Sequence, residues 1–301
     1  MEPHWMAKGS IELDELNAAD RGAFAALLGG VLEHAPWVAE RAWSGRPFAT
    51  VADLDRALMA ALRAAGEPEQ LAVFRGHPEL GSKTARGGAM PLHSRREQAS
   101  RGLDRLDEAE FARFEQLNAD YRRRFDMPFI LCVRRHTRAS ILSEFARRLA
   151  NSREAERGAA LDEVGHITRL RLVEIVEGPG KPRTDGWLST HVLDMVSGKA
   201  AAGVRVVLSE LGSGARGVCS EAVTNADGRT DAPLLGGGPL PIGSYEIAFH
   251  IGAYFALRGV ATSRPPFLDV VPIRFAIAEP EAHYHVPLLA SPWAYSTYRG
   301  S

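Results

Sequence analysis

The sequence predicts a multidomain α plus β chain, in which an all-helical domain is followed by a β-sandwich. Three observations predict it. Up to about Val176 the apolar residues recur at three- and four-residue steps, and after Trp187 they alternate at every second position. Between the two lies Glu177-Gly-Pro-Gly-Lys-Pro-Arg-Thr-Asp-Gly186, with two prolines and three glycines in ten residues. A period of 3.6 places apolar side chains on one face of a helix, and a period of 2 places them on one face of a strand, so a change of period is a change of architecture. The Gly/Pro run can continue neither pattern and reads as an interdomain linker. The expected divisions are residues 1–176, 177–186 and 187–301, and 301 residues is an ordinary length for two domains.

In the first half, Asp53 to Ala65 is rich in Ala, Leu and Arg and stops at Gly66 before Pro68, as a helix and its end should. Leu103, Leu106, Phe111, Phe114, Leu117, Tyr121 and Phe125 form the stripe of an amphipathic helix. Ile141, Leu142, Phe145 and Leu149 repeat it after Thr137, and Leu161, Val164, Ile167 and Ile175 repeat it again. In the second half, Val204, Val206 and Leu208 alternate with Arg205 and Ser209. Tyr245, Ile247, Phe249 and Ile251 alternate with Glu246, Ala248 and His250, and Ile273, Phe275 and Ile277 with Arg274 and Ala276. Turns such as Asn225-Ala-Asp-Gly228 separate the short strands, as in a sandwich of about a hundred residues.

Composition removes several classes of function. Lys and Arg number 36 against 37 Asp and Glu, a balance that argues against a nucleic-acid partner. No apolar run approaches the roughly 20 residues that span a bilayer, so no membrane association is expected. Met1 to Ser10 has no apolar core after a basic start, so a secretory signal is not expected either. Two cysteines, Cys132 and Cys219, can build neither a disulfide framework nor a thiolate zinc site. A cytoplasmic setting follows as the expectation.

Among the histidines of the helical half, His34, His93, His136 and His166 read as surface or structural residues. His77 differs, because Gly76 and Pro78 interrupt helix formation on both sides of it. A histidine on such a loop can work as an acid or base near neutral pH, or simply cap a helix carbonyl. Glu97 lies three residues after Ser94, the spacing of a capping box. Arg171 sits four residues after Ile167 and four before Ile175, on the apolar stripe of the last helix, where a guanidinium needs either an anionic ligand or a buried carboxylate. In the β half, His283 and His285 are two apart and share a strand face, and His191 lies where the first strand begins. Three imidazoles leave open a zinc site, and Arg229 after the Asp227-Gly228 turn could be an ordinary hairpin arginine.

These residues carry two resemblances. Gly76-His-Pro-Glu-Leu80, Ser94-x-x-Glu-Gln98, Arg124-Phe-Asp-Met-Pro-Phe-Ile130 and Leu170-Arg-Leu172, taken in order over about Leu16 to Val176, resemble the OHCU decarboxylase family. The resemblance implies that His77 and Glu97 are the catalytic pair, that Ser94 and Arg171 hold the substrate, and that the backbone at Phe129 and Ile130 contacts its ring. Leu80-Gly-Ser-Lys and Asp126-Met127 depart from the family's usual Leu-Ala-Gly-Lys and Gly-Phe. The second half resembles 5-hydroxyisourate hydrolase, the enzyme branch of the transthyretin-like family, through Leu188-Ser-Thr-His-Val-Leu-Asp194, Thr224-Asn-Ala-Asp-Gly-Arg229, His283-Tyr-His-Val-Pro-Leu-Leu289 and Tyr298-Arg-Gly-Ser301. That resemblance implies His191, Arg229, His285 and Ser301 as the catalytic set, with His283 and Tyr298 beside the substrate. Neither family reaction calls for a cofactor or a metal. Together the resemblances imply a bifunctional enzyme of urate breakdown that yields (S)-allantoin from small-molecule substrates. They also imply a homo-oligomer, tetrameric through the β domain with dimer contacts through the helical one. Two other readings stay open: a transthyretin-like carrier on a helical scaffold, and a zinc amidohydrolase using His191, His283 and His285.

Overall fold

The computed structural model describes residues 10–82, 90–212 and 217–300. Its contacts divide into two compact units. The first ends at Thr184; the second runs from Asp185 onward and also takes in Arg135–Ser140.

The first unit is helical: α1 (Leu13–Ala18), α2 (Arg21–Leu27), α3 (Pro36–Ala42), α4 (Val51–Arg63), α5 (Glu67–Arg75), α6 (Leu92–Ala99), α7 (Glu108–Phe125), α8 (Arg138–Arg148) and α9 (Arg153–Ile175). The ends of these helices are set by side chains. Thr50 accepts a hydrogen bond from the Asp53 amide and starts α4, and Ser152 does the same for Ala155 at α9. Asp107 and Glu110 form a reciprocal capping box, so α7 begins at Glu108, and Leu103 and Leu106 precede the helix rather than belong to it. The stripes converge on one core, where Leu54, Phe74, Phe114, Phe145 and Leu172 are fully buried. Each such side chain contributes about 1.5–3 kcal/mol by leaving water.

The Gly/Pro-rich stretch after α9 is packed. Strand β2 (Val176–Glu177) pairs in parallel with β1 (Ile11–Glu12), two short strands that the helical pattern did not announce. The amides of Val51 and Ala52 donate to the carbonyls of Pro179 and Gly180 at 3.0 and 3.2 Å, satisfying donors that the first turn of α4 leaves open. Gly180 has φ of 61°, and a Cβ there would stand 2.8 Å from Thr50, so the close approach requires glycine.

The second unit holds β3 (Gly186–Ser189), β4 (Val192–Asp194), β5 (Lys199–Ala200), β6 (Arg205–Leu211), β7 (Gly217–Val223), β8 (Leu235–Gly238), β9 (Gly243–His250), β10 (Val270–Ile277), β11 (His283–His285), β12 (Leu288–Ala290) and β13 (Tyr295–Thr297). One sheet has the order β10-β9-β6-β7; the others have the orders β11-β3-β8 and β13-β12-β4-β5. The two small sheets share a broken ladder. The Val286 amide donates to Ser189 and the Leu288 amide to His191, with Pro287, which has no amide to give, at the break. Leu188, Val206, Leu208, Ile247, Phe249 and Leu288 fill the core between faces. Ile251 opens a short helix, α10 (Ile251–Leu257), instead of closing a strand. Its burial with Tyr254 and Phe255 shows why, since i, i+3, i+4 is a helical spacing that overlaps the end of the alternation.

Candidate active sites

In the helical unit a pocket of about 350 Å³, counting its open mouth, is lined by His77, Ser94, Glu97, Phe129, Ile130 and Arg171, together with Gln98 and several apolar residues. All six helical-half candidates are therefore brought together. His77 lies just past the end of α5, and its Nδ1 sits 3.0 Å from the Val73 carbonyl. A carbonyl only accepts, so Nδ1 carries the proton and Nε2 is left with a lone pair. Val73, not Glu97, thereby fixes the tautomer. Burial pulls the His77 pKa below the usual histidine range; the Val73 carbonyl opposes this and the charge of Arg171 adds to it. Gln98 holds the loop that carries His77, accepting from the Gly81 amide at 3.0 Å and donating to the Glu79 carbonyl at 3.2 Å.

Ser94 and Glu97 do not form a capping box. Helix α6 begins two residues before Ser94, with Pro91 at its cap, so both side chains are free to turn inward. Arg171 Nε and Nη2 donate to the two oxygens of Glu97 at 2.9 and 2.8 Å, a bidentate pair, and Nη2 also reaches Ser94 Oγ at 3.2 Å. Of the two alternatives for Arg171 the structure shows the buried ion pair, and that pair lines a pocket. Burial disfavours the charge on Arg171, but Glu97 and Glu33 outweigh it and hold the guanidinium protonated. Glu33 was invisible to sequence reasoning: it lies in a turn 61 residues before Ser94, whose hydroxyl donates to it at 2.9 Å. His93, read as surface or structural, is near enough to Arg171 for that charge, after burial, to lower its pKa. Arg169, off the stripe, pairs instead with Asp55 at 2.9 Å.

The Phe129–Ile130 wall is held from behind. Arg148 Nη1 donates to the Ile130 carbonyl at 2.8 Å, and its guanidinium lies 4.7 Å from the Phe129 ring. Phe129 in turn stacks on Phe145 at 3.8 Å. Arg148 is paired with Glu156 at 2.5 Å, both being fully buried, and Glu156 also accepts from Tyr121 and Asn151.

In the β unit, the parallel register of β11 on β3 sets His283 opposite Trp187 and His285 opposite Ser189. Residues of one parity share a face, so the Ser189 hydroxyl lies between His283 Nε2, at 2.8 Å, and His285 Nδ1, at 2.9 Å. The His283 ring stacks on Trp187 at 4.7 Å. His191 bridges to Arg229 across the backbone, and His285 bridges to Gly300. Burial lowers the His285 pKa first, and the charges of Arg229, His283 and His191 lower it further; burial and Arg229 likewise lower that of His191. The charge of Arg229 thus bears on both His191 and His285. Tyr298 is 58% exposed, and Ser301 lies outside the described residues. Among the described residues no group of three or more His, Cys, Asp or Glu side chains is arranged to hold a metal ion. Ser189, which sequence reasoning did not single out, stands between His283 and His285.

Comparison with known proteins assigns the two units to families. A family model for OHCU decarboxylase matches residues 17–173, and one for the HIUase/transthyretin family matches residues 188–300. The 2-oxo-4-hydroxy-4-carboxy-5-ureidoimidazoline decarboxylase of Halalkalicoccus jeotgali is 39% identical over 165 residues, which is 55% of this chain and 92% of that protein. The 5-hydroxyisourate hydrolase of Deinococcus radiodurans is 56% identical over 115 residues, 38% of this chain and 95% of that protein. A crystal structure of (S)-allantoin synthase is 34% identical with a TM-score of 0.51, covering 97% of this chain and 100% of that one. The chain therefore belongs to the OHCU decarboxylase family through its helical unit and to the HIUase/transthyretin family through its β unit.

Proposed function

We propose that the chain is a bifunctional enzyme that hydrolyses 5-hydroxyisourate in its β domain and decarboxylates the resulting ureidoimidazoline in its helical domain, giving (S)-allantoin. The observation that carries this reading is the presence of both matched families in one chain, in the order and over the length of a solved (S)-allantoin synthase. The functional domains are taken as residues 1–176 and 187–301.

In the β domain a neutral histidine takes a proton from water, whose oxygen bonds to the ring carbonyl carbon. Arg229 faces the oxygen on which charge develops, and the C–N bond breaks as the imidazolium so formed gives its proton to the nitrogen. His191 and His285, both held toward the neutral form, are suited to the first task, with Ser189 and His283 fixing the His285 ring. Ser301 and Tyr298 complete this assignment. In the helical domain the C–C bond to the carboxylate breaks, carbon dioxide leaves, and its electron pair moves into the adjacent conjugated system. His77 Nε2 uses its lone pair to take the proton of the substrate's hydroxyl and returns it to one face of the neighbouring ring carbon, the ring nitrogen taking one from water, and this sets the product's handedness. Glu97, fixed by Arg171, accepts hydrogen bonds from the ureido group, and the amides of the Phe129–Ile130 segment face the ring. We take the enzyme to be a cytoplasmic homo-oligomer, tetrameric through the β domain and with dimer contacts through the helical one.

The test follows allantoin by circular dichroism after 5-hydroxyisourate is generated in the presence of wild type, His77→Ala or His285→Ala. Wild type should give optically active allantoin rapidly, while the two variants stall at different intermediates. Racemic product at the spontaneous rate with wild type would overturn the reading in favour of a carrier.

A further inference from the structure

We infer that Glu33 is a positioning residue for decarboxylation: it occupies the side of Arg171 that Glu97 leaves open, so the guanidinium acts as a strut for Glu97 rather than as an anchor for the substrate's carboxylate. The inference rests on the decarboxylase reading above. Glu33 lies in the turn before α3. The next residue, His34, has φ of 63°, and Pro36 opens the helix, so the chain direction there is fixed. The turn packs against the loop of His77, because a Cβ on Gly76 would stand 3.4 Å from His34 Cβ. The Glu33 side chain is 14% exposed, with Oε1 3.5 Å from Arg171 Nη1 and Oε2 accepting from Ser94 Oγ at 2.9 Å.

Donor arithmetic gives the consequence. Arg171 spends Nε and one Nη2 hydrogen on Glu97 and its other Nη2 hydrogen on Ser94, and it faces Glu33 with Nη1. The cluster then holds two carboxylates and one guanidinium beside a neutral imidazole, a net negative charge at the wall of the pocket. Among the described residues that line this pocket, the one guanidinium is that of Arg171, already opposite two carboxylates. The charge of a substrate carboxylate brought there is dispersed as carbon dioxide departs, so an environment that does not stabilise the ionised carboxylate favours the transition state over the bound ground state. Glu33 Oε1 faces Nη1 at an ion-pair distance of 3.5 Å, and its charge offsets the attraction that Nη1 would otherwise exert on that carboxylate, an attraction strongest before the bond breaks. Glu33 offsets that attraction while leaving the bidentate hold of Arg171 on Glu97 intact.

The experiment uses the full chain and Glu33→Gln, which keeps shape and removes charge, beside Glu33→Asp, which withdraws the charge by one methylene. The expected result for Glu33→Gln is a KM for decarboxylation lowered several-fold with a kcat lowered about tenfold, and a smaller change in the same sense for Glu33→Asp. Binding is measured independently of turnover by calorimetry with two stable probes, hydantoin-5-acetate, a cyclic ureide bearing a carboxylate, and neutral allantoin. Affinity for the first should rise about tenfold in Glu33→Gln, with that for allantoin unchanged. Unaltered preference between the probes, or a parallel loss of kcat and of affinity for both, overturns the inference, and Glu33→Asp decides it if Glu33→Gln does not fold. If wild type makes no optically active allantoin while the probe preference shifts as expected, it is the functional reading that fails and the role of Glu33 at Arg171 that stands.

Discussion

A histidine that has committed its Nδ1 proton to a backbone carbonyl can exchange protons only at Nε2, and this holds for His77. Its depressed pKa has a definite sign in the pH profile. Because burial favours the neutral ring, the acid limb of kcat/KM for decarboxylation should fall below the usual 6.5 of histidine, as read from initial rates of optically active allantoin. The same shift acts on stability. Below the unfolded value the denatured chain binds the proton more readily than the folded one, so stability contributed by neutral His77 is present above about 6.5 and is lost as pH falls from there. His77→Asn should remove roughly 10²–10⁴-fold of the decarboxylation rate without touching hydrolysis. In the β site a charge, not only burial, depresses His285, and that charge can be removed. Arg229→Gln should move the acid limb of 5-hydroxyisourate hydrolysis to higher pH and lower its plateau. An unmoved limb would mean that Arg229 and His285 do not share a site.

At the scale of the element, each site depends on a segment that touches no substrate. The turn Asn225-Ala-Asp-Gly228 delivers Arg229 because Asn225 Oδ1 accepts from the amides of Asp227 and Arg229, and because Gly228, at φ of 70°, lets the turn lie on β4. A Cβ at Gly228 would stand 2.4 Å from the Val192 carbonyl, an impossible contact. Gly228→Ala should therefore cut hydrolysis at least tenfold and lower the melting temperature of the β unit, with decarboxylation kept. In the helical unit, Arg148→Met leaves Glu156 buried without its cation. That should cost about 3–5 kcal/mol in chemical denaturation, and it loosens the Phe129–Ile130 wall as well. Elements of this kind were legible in part. The turn and the strands beside it follow from Gly, Asn and Asp in an alternating pattern, and the stripe from Phe111 to Phe125 fixed its helix apart from the start. Leu103 and Leu106 continued the stripe past a cap that only Asp107 and Glu110 reveal, and Ile251 satisfied two periods at once. Glu33 and Ser189 were not legible at all, because each matters through partners 61 or more residues away, and no local period encodes a tertiary contact.

For the whole molecule, the change of period near Trp187 was enough to indicate a helical and a β unit, and each set of motifs lies within one of them. What patterning could not supply is the exchange at the boundary: Arg135–Ser140 joins the second unit because the amides of Thr137 and Ile242 pair with carbonyls of Ile242 and Arg135, at 3.0 and 2.7 Å. Two sites built from separate sets of side chains should fail separately. His77→Ala should accumulate the ureidoimidazoline and His285→Ala should leave 5-hydroxyisourate to decay at its spontaneous rate. If the intermediate leaves one site for solution before it enters the other, an equimolar mixture of the two variants should restore optically active allantoin. The rate in that mixture should fall with dilution more steeply than that of wild type if fusion raises the local concentration of the intermediate. Linkage then acts through the brief lifetime of an intermediate that loses its handedness in water. Parallel dilution curves for the mixture and for wild type would show that joining the units gives no kinetic advantage and that each acts as it would alone.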